Sequence, residues 1–215
     1  AEQPLRRDGR ASRARLAPSG LRHRLWSRCA APGAARAARS AQLPDVRVID
    51  EPLYGHYLRV SGAKHPGRQE IMDVMNCDGD AVMRNLLQQQ TADQSRIFFI
   101  KHMAHHLVEM DLGFLRSTRN IFLVRDPREM LPSLTVQLPM AKLFDTGLQQ
   151  QWELFSDLAR AGQCPAVLDS RELLLNPEGV LRKLCAHLNI DFNRDMLTWE
   201  AGTRARTQTL FLRIT

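Results

Sequence analysis

Four short apolar runs, each ending in polar residues, punctuate the chain from residue 46 onward. "VRVID" (46–50) alternates and then meets Pro52, while "RIFFIKH" (96–102) and "NIFLVRDP" (120–127) are apolar through their centres and "AVLDS" (166–170) closes the series. Runs of this length read as strands, and unbroken apolar runs suit strands covered on both faces, as in a parallel sheet. Helical patterns lie between them. Leu148, Trp152, Phe155 and Ala159 form one stripe, with Thr146 to cap its start and Gly162 to end it. Asn176-Pro177 opens another helix, with Val180, Leu181, Leu184, Cys185 and Leu188 as its apolar face. A weaker helix over 79–90 rests on Val82, Met83, Leu86 and Leu87. Strands alternating with helices predict an α/β fold, a mainly parallel sheet flanked by helices. Trp152 and Met72, Met75 and Met83 are expected in the core or in pocket walls.

With 215 residues the chain can bury one ordinary hydrophobic core. An apolar fraction of 44% and a charged fraction of 25% are those of a soluble globular protein. The longest apolar runs, such as "IFFI" at 97–100, are too short to cross a bilayer, so no membrane span is expected. Cys29, Cys77, Cys164 and Cys185 lack metal-type spacing and read as buried thiols, which makes a reducing, cytoplasmic compartment the default expectation. The net charge of +7 is uneven. Residues 1–42 hold ten Arg against Glu2 and Asp8, a balance of +8, whereas 43–215 balance at −1. The basic character therefore belongs to a tail and not to a face of the folded part, and no nucleic-acid partner is expected. Arg/Ala-rich and broken by Pro4, Pro18 and Pro32, that tail reads as disordered, as an organelle-targeting segment, or as an altered coding segment. The divisions expected are 1–42, a domain over 43–202, and a tail over 203–215.

"NIFLVRDPREMLPSL" carries the clearest chemistry. A strand delivers Arg125 at its carboxyl end, where open α/β sheets bind ligands, and Ser133 follows on the next helix. An Arg fork and a hydroxyl converging there make a phosphate clamp; the alternative is a surface ion pair of Arg125 with Asp126 or another carboxylate. His102, His105 and His106 lack a carboxylate or thiol partner at fitting spacing, so no metal is expected.

"VRDPREMLPS", together with "AVLDSRELLLNPEGVLRKLCAHLNIDFNRDML", resembles the P-loop sulfotransferase family. The first looks like that family's 3′-phosphate-binding strand and helix, the second like its "YEDL…P…L…L…FLG" segment. "DVRVIDEPLYGHYLR" and "FFIKHMAHHL" are similar to a branch that some plant proteins carry fused to an aminotransferase-like domain. The resemblance covers roughly 45–202. It implies a P-loop NTPase-like architecture and transfer of a sulfuryl group from 3′-phosphoadenosine 5′-phosphosulfate to a hydroxyl or amine of a small-molecule or carbohydrate acceptor. It also implies that Arg125 and Ser133 hold the 3′-phosphate and that Glu51 is the general base, with Asp50 a lesser candidate and His102 the runner-up. Lys101 would steady transferring or leaving oxygens. For Glu51 the alternative is a residue that caps the turn before Pro52. "YGHYLR" and residues 64–90 would line the acceptor pocket.

The same resemblance exposes a gap. The branch's phosphosulfate loop reads approximately "LWSGPRNxSTALMYSFAQ", and its glycine, successive amides and Ser/Thr pair cradle phosphate at a helix N-terminus. Here "LWS" (25–27) and "AQ" (41–42) enclose "RCAAPGAARAARS", which keeps neither Gly-Pro-Arg nor Ser-Thr; Gly33 is alone and Ser40 comes late. "LRHRLWS" alternates Leu with Arg and His, so the fold is expected to be incomplete at its first strand; Arg22 and Arg24 would be costly in a central parallel sheet. After "MLTWEAG" the chain also departs from the branch. Two Arg-containing replacements around a well-kept middle suggest an altered reading frame or exon choice at both ends. Strongly impaired turnover is expected, the alternative being a non-catalytic interaction or nucleotide-binding module. A P-loop kinase would need GxxxxGK[ST], which is absent.

Overall fold

The computed structural model describes residues 23–27, 46–92 and 97–197. Strands β1 (His23–Ser27), β2 (Val46–Asp50), β3 (Ile97–Lys101), β4 (Arg119–Val124) and β5 (Ala166–Asp169) pair in parallel in the order β2-β3-β1-β4-β5. The helices are α1 (Tyr54–Ser61), α2 (Arg68–Val74), α3 (Gly79–Ala92), α4 (Pro127–Gln137), α5 (Leu143–Thr146), α6 (Leu148–Arg160), α7 (Ser170–Leu175) and α8 (Pro177–Leu188). Short 3₁₀ turns occupy Ala104–His106, Gly113–Ser117 and Arg194–Leu197. This is the α/β architecture the sequence predicts, and all four predicted strands form.

Their apolar runs are unbroken because alternate side chains enter different cores. Ile49, Phe98, Ile100 and Phe122 pack on one face against Met83 of α3 and Leu154 and Leu158 of α6. Val46, Val48, Phe99 and Ile121 face the other way, onto Leu188 of α8. Leu123 joins Leu173, Leu181, Cys185 and Met196. Asn176 starts its helix as predicted; Thr146 does not cap α6, whose N-cap is Gly147 in a left-handed conformation, and Asp126, not foreseen as a cap, starts α4. Asp126 accepts from the Arg128 amide at 2.8 Å ahead of Pro127, and Asn176 accepts from the Gly179 amide at 3.0 Å ahead of Pro177.

Three expectations change. The sheet is not incomplete at its first strand: the backbone of His23–Ser27 lies at its centre, in register with β3 from His23↔Ile97 to Ser27↔Lys101 and with β4 at Leu25↔Arg119 and Trp26↔Asn120. Ladder bonds are made by backbone groups, so two flanking strands accept a third whatever its side chains. This strand belongs to the sheet although it lies inside the 1–42 segment. Trp152 is 69% exposed, not core, and stacks on Phe155. The buried stripe of α6 is Gln151, Leu154 and Leu158, because the Gln151 amide turns inward to donate to the Leu123 carbonyl at 3.0 Å. A polar residue holding a core position displaced a stripe read from hydrophobicity alone. Cys185 is buried and Cys77 half-buried, but Cys164, in the loop after Gly162, is exposed. Among the methionines, Met83 is buried in the main core while Met72 and Met75 pack against the cluster of Tyr54, Tyr57, Leu58 and Ile71. Among the described residues no helix is long and apolar enough to cross a membrane. The readings of 1–22, 28–45 and 198–215 lie outside the described residues.

Candidate active site

The strand order makes the chain leave β1 toward β2 and leave β4 in the opposite direction toward β5, so the carboxyl ends of these neighbours flank a crevice of the kind that binds ligands. Asp50, Lys101 and Ser27 sit in register at that edge, as the last residues of β2, β3 and β1. The Lys101 ammonium lies 2.8 Å from Asp50 Oδ1 and 2.7 Å from Glu51 Oε1, and the three side chains are 15–26% exposed. The Glu51 amide continues the ladder by donating to the Lys101 carbonyl at 2.9 Å, and the Glu51 carbonyl accepts from the Tyr54 amide at 3.1 Å to start the turn into α1. Its backbone has φ 44°, a left-handed conformation that costs an L-residue about 1–2 kcal/mol. Glu51 thus serves both readings offered for it: its backbone makes the turn and its side chain faces a cation. Burial pushes Lys101 down, but Glu51 and Asp50 together outweigh it and hold the ammonium above its ordinary range.

His102 follows Lys101 and is enclosed, 1% exposed, with its ring 6.5 Å from that of Phe114. Burial, then the neighbouring Lys101 charge, lowers its pKa to about 3. His106 is likewise buried and held well below the usual range by burial and by the cationic forms of His105, His102, His65 and Lys101. Both rings stay neutral at neutral pH. Among the described residues no group of three or more His, Cys, Asp or Glu could hold a metal ion.

Arg125 follows β4, with its guanidinium 24% exposed and its Nε 3.8 Å from Glu129 Oε2. Asp126 is not its partner. That carboxylate caps α4 and pairs with Arg128 at 2.8 Å. Ser133, exposed on α4, donates to the Met130 carbonyl at 2.9 Å and lies one helical turn beyond Glu129. Glu129 and Ser133 share one face of α4, and Arg125, in the turn before that helix, reaches Glu129 only loosely.

Sequence reasoning put "YGHYLR" in the acceptor-pocket wall but did not foresee the ring cluster it forms. Tyr54 and Tyr57 of α1 pack with His65 and with His105 and His106 of the turn after β3; the Tyr57–His106 centroids are 4.7 Å apart. Tyr54 Oη lies 2.7 Å from His65 Nδ1. Burial depresses His65 and leaves the neutral ring, so the phenol donates and the imidazole nitrogen accepts. Burial, Glu51 and Tyr57, in that order, push the Tyr54 phenol up to about 12, and burial raises Tyr57 too. The signal was the repeated aromatic and His spacing of "YGHYLR" and "HMAHH", which has no period that singles it out. These are the chain's two tyrosines, so its phenolate absorbance is expected to rise later than that of free tyrosine, with Tyr54 ionising only toward pH 12 and Tyr57 above its ordinary range. A normal transition near pH 10 would show the cluster open to water.

The sequence pattern of the sulfotransferase domain matches residues 22–210. The chain belongs to the sulfotransferase domain family. Branched-chain-amino-acid aminotransferase-like proteins 2 and 1 of Arabidopsis thaliana are each 34% identical to it over 163 residues, which is 75% of this chain and 29% of theirs. The chain thus spans under a third of the length of the curated relatives it matches. The sulfotransferase of Alicyclobacillus acidocaldarius superposes with TM-score 0.52 at 16% identity, covering 82% of this chain and 85% of that one. The sulfotransferase domain of the Synechococcus PCC 7002 olefin synthase superposes with TM-score 0.50 at 19% identity, covering 81% and 75%. At these identities the superpositions speak for the fold. The sulfotransferase fold of this chain keeps its central strand, and places Glu51, Lys101 and Arg125 at the carboxyl edge.

Proposed function

We propose that this edge is a site for transfer of a sulfuryl group from 3′-phosphoadenosine 5′-phosphosulfate to a hydroxyl or amine, with turnover strongly impaired in this chain. The observation that carries the reading is the Glu51–Lys101 pair, 2.7 Å apart at the ends of adjacent parallel strands, one strand away from where β1 ends. The donor supplies an activated sulfur; the chain supplies charge and a base. Lys101 would neutralise oxygens that gain charge as the bond from sulfur to the 5′-phosphate breaks and its electron pair leaves with 3′,5′-ADP. Glu51 would take the acceptor's proton as the acceptor's oxygen or nitrogen bonds to sulfur. Glu51 is favoured over His102 because the imidazole is enclosed and stays neutral only by remaining so. Arg125, half-buried and loosely paired, fits a 3′-phosphate; the Ser133 hydroxyl would have to leave the Met130 carbonyl to join it.

Impairment rests on "RCAAPGAARAARS", which keeps neither the Gly-Pro-Arg nor the Ser-Thr of the branch's phosphate cradle. The same stretch favours the second reading, a sulfotransferase-like module that binds nucleotide weakly without turnover. Calorimetric titration with 3′,5′-ADP tests both. Weak binding is expected from the unmodified chain, a gain of at least about tenfold when the branch's loop sequence is restored, and a loss of about tenfold in Arg125→Ala of that restored form. Tight binding by the unmodified chain would refute the impairment. No binding after restoration would refute the 3′-phosphate assignment of Arg125 and Ser133.

A further inference from the structure

Successive residues of a strand point to opposite faces, yet Asp50 and Glu51 both reach the Lys101 ammonium, at 2.8 and 2.7 Å. The left-handed backbone at Glu51, φ 44°, breaks the alternation and turns the second carboxylate back onto the same cation. One carboxylate already neutralises Lys101, so the second leaves the group with an excess negative charge of one. Asp50 needs no such distortion: it is the last residue of β2, in register with Lys101, and its Oδ1 is buried against the ammonium. The turn into α1 accounts for the left-handed backbone at Glu51, but one carboxylate is enough to neutralise Lys101, and the turn does not require a second one on the same ammonium.

We propose that Glu51 occupies the Lys101 charge as an internal stand-in for an oxyanion, and that an incoming sulfate-like group displaces it. Asp50 keeps the ammonium anchored throughout, while the Glu51 side chain swings free and its backbone keeps the turn. On the reading of the site given above, this couples two events: the anionic donor engages Lys101, and the carboxylate that must accept a proton is released from its ion pair.

Inorganic sulfate is the probe, titrated into the full chain at constant ionic strength with chloride as the balancing anion, and followed in every form by the backbone amide resonances of residues 50, 51, 101 and 102 and, where Lys101 is present, by its Cε and Nζ resonances. Glu51→Gln, which removes the competing charge and keeps the shape, is expected to bind sulfate about tenfold more tightly than the unmodified chain, and Lys101→Met is expected to abolish the response. Glu51→Ala should behave as Glu51→Gln does and serves if that variant folds poorly. Equal or weaker sulfate binding in both Glu51 variants overturns the proposal, as does sulfate binding that leaves the Lys101 resonances unmoved, or no sulfate binding in any form. Since the probe carries no nucleotide, failure of the 3′-phosphate assignment at Arg125 leaves this result unaffected, and the converse also holds.

Discussion

Acidification from pH 6.5 toward pH 4 is expected to unfold this protein, with each histidine kept neutral by the fold removing about 1.4 kcal/mol of stability per pH unit. The sign follows from the two states. In the unfolded chain His102 binds a proton near pH 6.5, whereas in the fold burial and the Lys101 charge hold its pKa at about 3. A depressed basic group contributes stability that is fully present above its unfolded pKa and is lost as pH falls toward the folded one. The window therefore opens at about pH 6.5 and extends to about pH 3. His106 is depressed in the same direction, mainly by burial, and adds to the slope. His102 by itself removes about 3 kcal/mol over two pH units and His106 adds to it, a large share of the 5–15 kcal/mol that ordinarily holds a domain together. Urea melts at stepped pH, followed by circular dichroism, measure the slope directly. His102→Leu should lower it by about one proton's worth, whatever its effect on stability at neutral pH. A stability that stays flat from pH 6.5 to 4.5, or a His102 imidazole that titrates normally by NMR, would contradict the enclosed site described here.

Replacing Lys101 with methionine is expected to cost about 2–3 kcal/mol, more than an ordinary surface ion pair. The reason is what remains. Asp50 and Glu51 would stand as adjacent carboxylates, 20–26% exposed, with their shared counter-charge removed and Asp50 Oδ1 buried. The full penalty of a buried orphaned charge does not apply, because solvent reaches these groups in part. Lys101→Arg should restore most of the loss, and adding Glu51→Gln to Lys101→Met should recover part of it by removing one of the two repelling charges. Thermal or urea melts of these variants decide the matter. A Lys101→Met protein within about 0.5 kcal/mol of the unmodified chain would show that the cluster contributes nothing to stability.

How much of this was legible depended on whether a feature is local. "IFFI" and "NIFLV" announce strands because every residue is apolar, and the structure shows why: Phe98 and Ile100 enter one core while Phe99 enters the other. Asn176-Pro177 is a cap signal that acts within four residues, and it starts a helix. Trp152 misled because an apolar residue at the right spacing was preferred to Gln151, whose inward position depends on the Leu123 carbonyl, far away in sequence. The first strand misled for a related reason. His23–Ser27 has poor side chains for a central strand, but its placement is set by the edges that β3 and β4 offer. At the site, the resemblance pointed to Glu51, Lys101 and Arg125 one by one. It did not show that Asp126 is engaged by Arg128, or that Arg125 leans instead toward Glu129.

By itself the sequence determined the alternation of strands and helices, the two-sided core and the family, because hydrophobic period, cap chemistry and motif order are written in neighbouring residues. Only the tertiary structure decided that Asp50 and Glu51 share one ammonium and that a left-handed residue makes this possible. It alone enclosed His102 and gathered Tyr54, Tyr57, His65 and His106 into one cluster. Charge pairing and desolvation act between groups brought together by the sheet from distant stretches of chain, so their strength depends on distances that no linear pattern encodes.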